Sequence, residues 1–242
     1  PGFNVTYGTY VFGVGASSVT GIIGVLNITT SGLSYSYINQ TSKVTEVSQC
    51  INITSPGYYV LTSNLYGTQP AGYCIGILAN DVILNGNGFS LIGNGVGSGI
   101  LITGNNVTVG NVTIYGYAGG VSIGGSFDAL ISDKIINYIK DGVFLAGKHD
   151  VVKDCEITGS NANLGNVFGI WLLGDDATIV NNTISNSGFG IHLDRSDNLI
   201  EDNTIVNNGV GIGYGGINNT IVGNIIGNNY YAGLSLWYSA GD

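Results

Sequence analysis

A glycine followed by an aliphatic residue recurs along most of the chain at nearly constant spacing. The pairs begin at Gly76, Gly99, Gly120, Gly142, Gly169, Gly190, Gly211 and Gly233, with steps of 23, 21, 22, 27, 21, 21 and 22 residues. Aliphatic residues occupy most positions one and three after each glycine, and the residue between them varies, which is the alternation of a half-buried strand. The longest step contains 159–166, rich in Asn, Gly and Ser, which predicts an inserted loop.

Two further aliphatic positions recur ten and fifteen residues after the glycine. They are Leu130, Val152, Ile179, Ile200 and Ile221, and then Ile135, Ile157, Ile184, Ile205 and Ile226. Three short strands fill each repeat and leave no room for a helix, so the pattern predicts an all-β, three-sided solenoid. A leucine-rich repeat has a similar period, but its Leu-x-x-Leu-x-Leu frame is missing, and Gly, Asn and Asp between the strands favour tight turns.

A polar column is predicted at one bend of the coil, thirteen residues after the glycine. It contains Asp133, Cys155, Asn182, Asn203 and Asn224, and Asn111 takes the same place if one turn residue is deleted. Stacked asparagines at a bend can hydrogen-bond to each other and to backbone groups. Cys155 is interpreted as a buried, inert thiol in this column; a catalytic thiol and an intermolecular disulfide are the alternatives.

These repeats resemble the right-handed parallel β-helix repeat family, with NosD-like and pectate-lyase-like repeats. The matching segments are 169–172 with 181–184 and 190–193 with 202–205, and residues 50–88 are similar to the opening coils of archaeal surface proteins. The resemblance covers about residues 49–242 and implies a right-handed single-stranded parallel β-helix, preceded by an N-terminal strand segment over 1–48. It implies fold rather than function, because one fold hosts many functions.

The two ends of the chain depart from the repeat. Residues 1–48 lack the glycine register and are rich in strand formers, and the last coil stops part-way round. Strand addition between copies would satisfy both ends, which predicts a head-to-tail cell-surface filament of identical subunits. The predicted interface is Val5, Tyr7 and Val11 of one subunit and Leu234, Leu236 and Trp237 of the next. The alternatives are that 1–48 cap their own subunit, or that the native chain is longer.

The amino-acid composition limits the cellular compartment and the classes of binding partner that are expected for the protein. The net charge is −9 with only six Lys and Arg, so no basic run is present to follow a nucleic-acid backbone. No apolar run approaches the ~18 residues of a membrane span. The chain contains no Met, so Pro1 is interpreted as a processed terminus after removal of a signal peptide, and an extracellular or cell-surface location is expected.

Two covalent features fit that location. Cys50 and Cys74 flank a short segment, which suits a disulfide in an oxidising compartment. Asn-x-Ser/Thr sequons predict N-linked glycans, although an Asn- and Thr-rich turn chemistry would produce the same pattern. The sequons lie at Asn4, Asn27, Asn39, Asn52, Asn106, Asn111, Asn181 and Asn218.

Some β-helix proteins cleave polysaccharides, which requires two carboxylates on either side of the bond. The best catalytic candidates are Asp150, Asp175, Asp176, His192, Asp194 and Arg195, which fall on adjacent coils. The same residues also fit a soluble acidic stripe or a structural Ca²⁺ site, and no other cofactor is expected. The sequence favours a non-enzymatic structural protein. The alternatives are a polysaccharide-acting enzyme, or a carbohydrate-binding adhesin with a row of exposed Tyr or Trp.

Overall fold

The computed structural model describes residues 19–29, 32–42, 44–161 and 165–236. The chain divides into two compact units, Pro1–Thr45 and Glu46–Asp242. In the first unit, β1 (Val19–Thr29) and β2 (Gly32–Ser42) form an antiparallel pair with Val19 opposite Ser42. The predicted interface residues Val5, Tyr7, Val11 and Trp237 lie outside the described residues.

The second unit is a solenoid in which each coil adds one strand to each of three sheets. The first sheet contains β4 (Asn52–Ile53), β7 (Tyr73–Ile77), β10 (Ser98–Ile102), β13 (Gly119–Ile123), β16 (Asp141–Leu145), β19 (Phe168–Leu172), β22 (Phe189–Leu193), β25 (Val210–Tyr214) and β28 (Ala232–Leu236). The second contains β3 (Val44–Val47), β5 (Gly57–Leu61), β8 (Val82–Asn85), β11 (Thr108–Gly110), β14 (Ala129–Ile131), β17 (Val151–Lys153), β20 (Thr178–Val180), β23 (Leu199–Glu201) and β26 (Thr220–Val222). The third contains β6 (Leu65–Tyr66), β9 (Ser90–Ile92), β12 (Thr113–Tyr115), β15 (Lys134–Tyr138), β18 (Glu156–Gly159), β21 (Thr183–Ser185), β24 (Thr204–Val206) and β27 (Ile225–Gly227).

Parallel pairing between coils confirms the predicted architecture. Ile100 lies beside Val121 and Val121 beside Val143, and the glycine–aliphatic pairs from Gly99 to Gly233 stack in this way. The predicted pair at Gly76 is out of register, because Ile75 and not Ile77 lies beside Ile100. No helix occurs among the described residues, which excludes a leucine-rich repeat and any membrane-spanning helix within them. The aliphatic columns line the inside of the coil, where Ile157, Ile179 and most of their column neighbours are fully buried. Each such side chain contributes ~1.5–3 kcal/mol of hydrophobic stabilisation.

The predicted asparagine column is a continuous chain of hydrogen bonds. The backbone N–H of Asn182 donates to Oδ1 of Asn203 at 2.9 Å, and that of Asn203 donates to Oδ1 of Asn224 at 2.9 Å. The Asn203 amide also donates to the carbonyl oxygens of Ile179 at 2.8 Å and Glu201 at 2.9 Å. The column therefore satisfies backbone groups that the bend would otherwise leave unpaired inside the protein.

Two members of the column need separate description. Cys155 lies in the column, where its N–H donates to Asn182 and burial raises the pKa of its thiol to about 12, so the thiol stays protonated. Asn111 lies one residue before the column and is exposed in the left-handed region, with φ 57°. Val112 occupies the column position without any deletion, and its N–H donates to Asp133.

Cys50 and Cys74 are joined by a disulfide that closes a sequence separation of 24 residues. We expect Cys50→Ser/Cys74→Ser to lower the free energy of unfolding by about 3 kcal/mol, since the cross-link restricts the unfolded chain. Thermal unfolding with and without reductant would measure this. Cys155→Ala, which removes the free thiol, should respond to reductant as the unaltered protein does. An equal unfolding midpoint with and without reductant would contradict the prediction.

The sequon asparagines differ in position. Those in the solenoid are all exposed, and some already hydrogen-bond across coils: Asn106 donates to Asp81 at 2.7 Å, and Asn181 donates to Asp154 at 2.6 Å. Asn4 lies outside the described residues, and Asn27 and Asn39 fall on β1 and β2. The exposed solenoid sequons are Asn52, Asn106, Asn111, Asn181 and Asn218. Glycosylation of these residues stays a prediction.

Candidate functional site

The outer surface of the first sheet carries a cluster of aromatic rings, which we call the aromatic face. It consists of Phe144, Phe168, Trp171, Phe189 and His192, all partly exposed. They occupy two outward columns of β16, β19 and β22, in which Phe168 pairs with Phe189, and Trp171 pairs with both Phe144 and His192. Because neighbouring strands lie about 4.8 Å apart, outward residues in one column lie directly beside one another.

The rings form a connected set. Phe168 stacks on Trp171 with centroids 5.0 Å apart and on Phe189 at 5.5 Å. Phe144 meets Trp171 edge-on at 5.3 Å, and His192 lies 5.2 Å from both Phe168 and Phe189. These separations fall within the range of favourable aromatic pairs. The result is a broad apolar surface on the side of the solenoid.

A carboxylate anchors one edge of the aromatic face. Trp171 Nε1 donates to Asp194 Oδ2 at 2.8 Å, and His192 Nε2 lies 3.1 Å from Asp194 Oδ1. A Cβ at Gly213 would approach His192 Nδ1 and the ring of Phe189 to 3.0 Å, so the glycine provides the space into which these rings lean. His192 Nδ1 is buried there without a hydrogen-bond partner.

Charged residues follow the aromatic face at the bend between the first and second sheets, and we call this group the acidic corner. It comprises Lys148, His149, Asp175, Asp176, Arg195 and Asp197. Lys148 Nζ lies 3.0 Å from Asp175 Oδ2, and this hydrogen bond lowers the pKa of the Asp175 carboxyl. His149 Nδ1 lies 3.9 Å from Asp176 Oδ2.

An exposed aromatic residue extends the acidic corner by one coil. Phe127 is 61% exposed, has φ 62° and stacks on the His149 ring at 4.7 Å. Most residues at the same turn position are Asn or Asp, which tolerate the left-handed region more readily than a phenylalanine does. A strained and exposed ring at this position points to a surface used for binding.

Arg195 interrupts a column of glycines at the same bend. Gly104, Gly125, Gly147 and Gly174 precede it on successive coils, and each has a carbonyl oxygen of the adjacent coil where its Cβ would lie. Arg195 Nη1 lies 3.5 Å from the carbonyl oxygen of Asp194. Arg195 therefore places a charged side chain at a bend where the four preceding coils have a glycine, next to the aromatic face.

The structure separates the predicted catalytic set. Asp175, Asp176, His192, Asp194 and Arg195 lie on the surface of two adjacent coils, at the acidic corner and the edge of the aromatic face. Asp150 is fully buried instead, and its Oδ1 accepts the backbone N–H of Asp128 at 3.0 Å. The described residues contain no group of three His, Cys, Asp or Glu side chains that could hold a metal ion, so nothing in them supports the Ca²⁺ hypothesis.

Sequence reasoning missed the aromatic face, although a signal was present. The positions one before and two after the glycine form the outward columns, and they contain Phe168, Phe189, Phe144, Trp171 and His192. Comparing these positions across the three repeats would have predicted an aromatic row.

Known proteins share this architecture. A family model described as "Right handed beta helix region" matches residues 98–242. The crystal structure of the Dettilon tailspike protein aligns with a TM-score of 0.54 and 18% identity, over 76% of this chain and 39% of that chain. An alginate lyase from Paenibacillus sp. aligns with a TM-score of 0.57 and 12% identity, over 81% of this chain and 88% of that one. None of the curated proteins compared with the sequence matches it.

These comparisons overturn the prediction of a filament subunit. The solenoid resembles a phage tailspike and an alginate lyase, and it spans less than half the length of the tailspike chain. The strand-rich first segment and the exposed Leu234 and Leu236 of β28 do not by themselves specify assembly.

The inward and outward columns, the three parallel sheets and the family match over 98–242 agree, and the chain belongs to the right-handed β-helix family.

Proposed function

We propose that this protein binds an uncharged polysaccharide along the side of its solenoid. The aromatic face is the observation that supports the proposal, because five half-buried rings form one surface with the Asp194 carboxylate at its edge. Sugar rings offer apolar C–H faces that pack on aromatic rings, and hydroxyls that hydrogen-bond to carboxylates and imidazoles. The same fold in an alginate lyase, a protein named for a polysaccharide, is consistent with this use.

Charge at the site favours a neutral polymer. Asp175, Asp176, Asp194 and Asp197 carry four negative charges beside the aromatic face, against two positive charges from Lys148 and Arg195. Lys148 is already paired with Asp175. With a net charge of −9 on the whole chain, a polyanion such as alginate would be repelled more than attracted.

The carboxyl groups favour binding over hydrolysis. A glycosidic general acid needs a raised pKa and contact with the substrate. Among the described residues, the carboxyls with a raised pKa are Asp128, Asp133, Asp141 and Asp150, and burial is the main cause in each. All four are buried, whereas the pKa of Asp175 at the surface is lowered.

Binding can be tested by affinity electrophoresis through gels containing dextran, galactomannan, mixed-linkage β-glucan or alginate. We expect retardation by at least one neutral polymer, and Trp171→Ala should weaken it about tenfold, because the central ring and its hydrogen bond to Asp194 are lost. Tyr115→Ala is the matched control, since Tyr115 is an exposed aromatic residue, 46% accessible, on the third sheet. Equal effects of the two variants, or no retardation by any neutral polymer, would refute the proposal.

A reducing-end assay on the retained polymer separates binding from cleavage. We expect no release of reducing ends during prolonged incubation. Release that is abolished by Asp194→Asn would instead identify an enzyme, and the alternative of a polysaccharide-acting hydrolase would then replace the binding proposal.

A further inference from the structure

A second polar column, not recognised in the sequence, lies eight residues after the repeat glycine. At Asn219 both ends of the amide are used, whereas at Asn198 Oδ1 accepts the N–H of Ala177 at 2.8 Å and Nδ2 is buried without a partner. Oδ1 of Asn219 accepts the N–H of Asn198 at 2.9 Å, and its Nδ2 donates to the carbonyl oxygens of Arg195 at 2.8 Å and Gly215 at 3.1 Å. The Asn219 amide therefore accepts a hydrogen bond from one N–H group and donates to two carbonyl oxygens.

Aspartates occupy the same column in two earlier coils, and Ala177 lies between them and the asparagines. Asp128 and Asp150 are fully buried, and their Oδ1 atoms accept the N–H groups of Val107 at 2.8 Å and Asp128 at 3.0 Å. Oδ2 of each is buried with no hydrogen-bond partner. An ionised carboxylate only accepts hydrogen bonds, whereas a protonated one has an O–H to donate.

Oδ2 of each aspartate lies beside a carbonyl oxygen, which is the environment of a hydrogen-bond donor. A methyl group at Gly125 would contact both the carbonyl oxygen of Gly104 and Oδ2 of Asp128, so the two oxygens face the same small space. The same relation holds at Gly147 for Oδ2 of Asp150 and the carbonyl oxygen of Gly125. Two oxygens without a proton between them repel each other, and a proton on the carboxyl removes that repulsion.

Asp133 repeats the arrangement at the next bend. It is fully buried, its Oδ1 accepts the N–H of Val112 at 3.0 Å, and its Oδ2 has no partner. In the same column the amide of Asn182 donates to the carbonyl oxygens of Val180 and Val152. Three aspartates thus take places that asparagines fill in the later coils.

We infer that Asp128, Asp133 and Asp150 are neutral carboxylic acids in the folded protein and make the solenoid more stable in acid than at neutral pH. The inference is independent of polysaccharide binding. Among the described residues of the solenoid no cation lies inside the coil beside these acids: Asp150 faces Asp128, and the protonated thiol of Cys155 faces Asp133. The flanking cations lie outside and are paired, Lys134 with Glu156 at 2.9 Å and Lys148 with Asp175 at 3.0 Å; His149, next to Asp150, lies near Asp176.

The pKa directions give the sign of the pH dependence. Burial raises the pKa of Asp128 and of Asp133 to about 7, and that of Asp150 to about 6. In the unfolded chain an aspartate has a pKa of about 3.9. The folded state binds more protons, so this contribution to stability is complete below pH ~4 and is lost as the pH rises through 6–7.

The test is thermal unfolding between pH 4.5 and 8, for the unaltered protein and for Asp128→Asn/Asp133→Asn/Asp150→Asn. For each bound proton the folding equilibrium constant should fall about tenfold per pH unit between the two pKa values. The unaltered protein should therefore lose stability as the pH rises. The triple variant should lose most of this dependence, keeping the part due to the raised pKa of buried Asp141, and be the more stable at pH 8. Asp197→Asn, at an exposed turn position, should keep the dependence of the unaltered protein.

Infrared spectroscopy of the unaltered protein provides a measurement that needs no variant. A buried carboxylic acid C=O band should be present at pH 5 and disappear on titration through 6–7, while the fold is retained. The absence of this band at pH 5, or an unfolding midpoint that is constant or rises between pH 5 and 8, would overturn the inference. A triple variant with the same pH dependence as the unaltered protein would do the same.

Discussion

Gly147→Ala is expected to lower the free energy of unfolding by more than about 3 kcal/mol, although it adds a single methyl group. A Cβ at this position would overlap the carbonyl oxygen of Gly125 on the adjacent coil and come within 2.7 Å of Asp150 Oδ2. Both neighbours are held by the solenoid, so the coils themselves would have to separate. Chemical denaturation followed by circular dichroism would measure the loss.

Gly227→Ala is the matched control for this prediction. Gly227 lies on β27, and a Cβ there would meet no atom within 4 Å. We expect its free energy of unfolding to change by less than about 0.5 kcal/mol. If the two alanine variants were equally stable, coil-to-coil contact at Gly147 would be looser than the structure indicates.

Asn203→Ala is expected to destabilise the protein by about 3 kcal/mol. The substitution leaves the N–H of Asn182 and the carbonyl oxygens of Ile179 and Glu201 without the partners that the Asn203 amide provides. Asn203 is fully buried, so water does not replace those partners without opening the coil. The midpoint of denaturant unfolding, with the slope of the transition, would report the loss.

Two further substitutions are compared with Asn203→Ala to identify the cause of its loss of stability. Asn166→Ala, at an exposed position of the inserted loop, should leave stability nearly unchanged. Asn203→Asp keeps the acceptor oxygen but supplies a donor only when protonated, so it should be close to the unaltered protein in acid and clearly less stable at pH 8. An Asn203→Ala variant as stable as Asn166→Ala would show that the column contributes little.

Of the six predicted catalytic residues the structure places five at the surface and buries Asp150, and this difference has a local cause. Asp150 and Asp175 both follow strands of the first sheet, eight residues after Gly142 and six residues after Gly169. His149, with φ 59°, turns the chain so that the next side chain, Asp150, enters the coil, whereas Asp175 precedes the equivalent turn residue, Asp176, and stays outside. A shift of two positions across the turn residue moves a carboxyl from solvent to the core, which alters both its pKa and its access to substrate.

The assembly prediction failed for a different reason. A strand-rich first segment and an exposed β28 do not specify assembly, and the same fold occurs in a tailspike protein and an alginate lyase. Features of the fold alone therefore did not indicate the function of the protein. The surface that now supports a function lies on the side of the coil, which residue patterns at the ends do not describe.

By itself the sequence determined the solenoid. The spacing of Gly99, Gly120 and Gly142, with aliphatic residues one and three positions later, specifies which side chains enter the core, because side-chain direction alternates along a strand. The repeat positions of the aromatic residues are readable in the sequence, but only the tertiary structure showed that their rings form one connected face and that the aspartates of the acid column lie inside the coil. Phe144, Trp171 and His192 are more than 20 residues apart and become neighbours because successive coils stack in register at about 4.8 Å. Whether a polar side chain at a bend lies inside or outside the coil depends on turn conformation, which residue identity alone does not dictate.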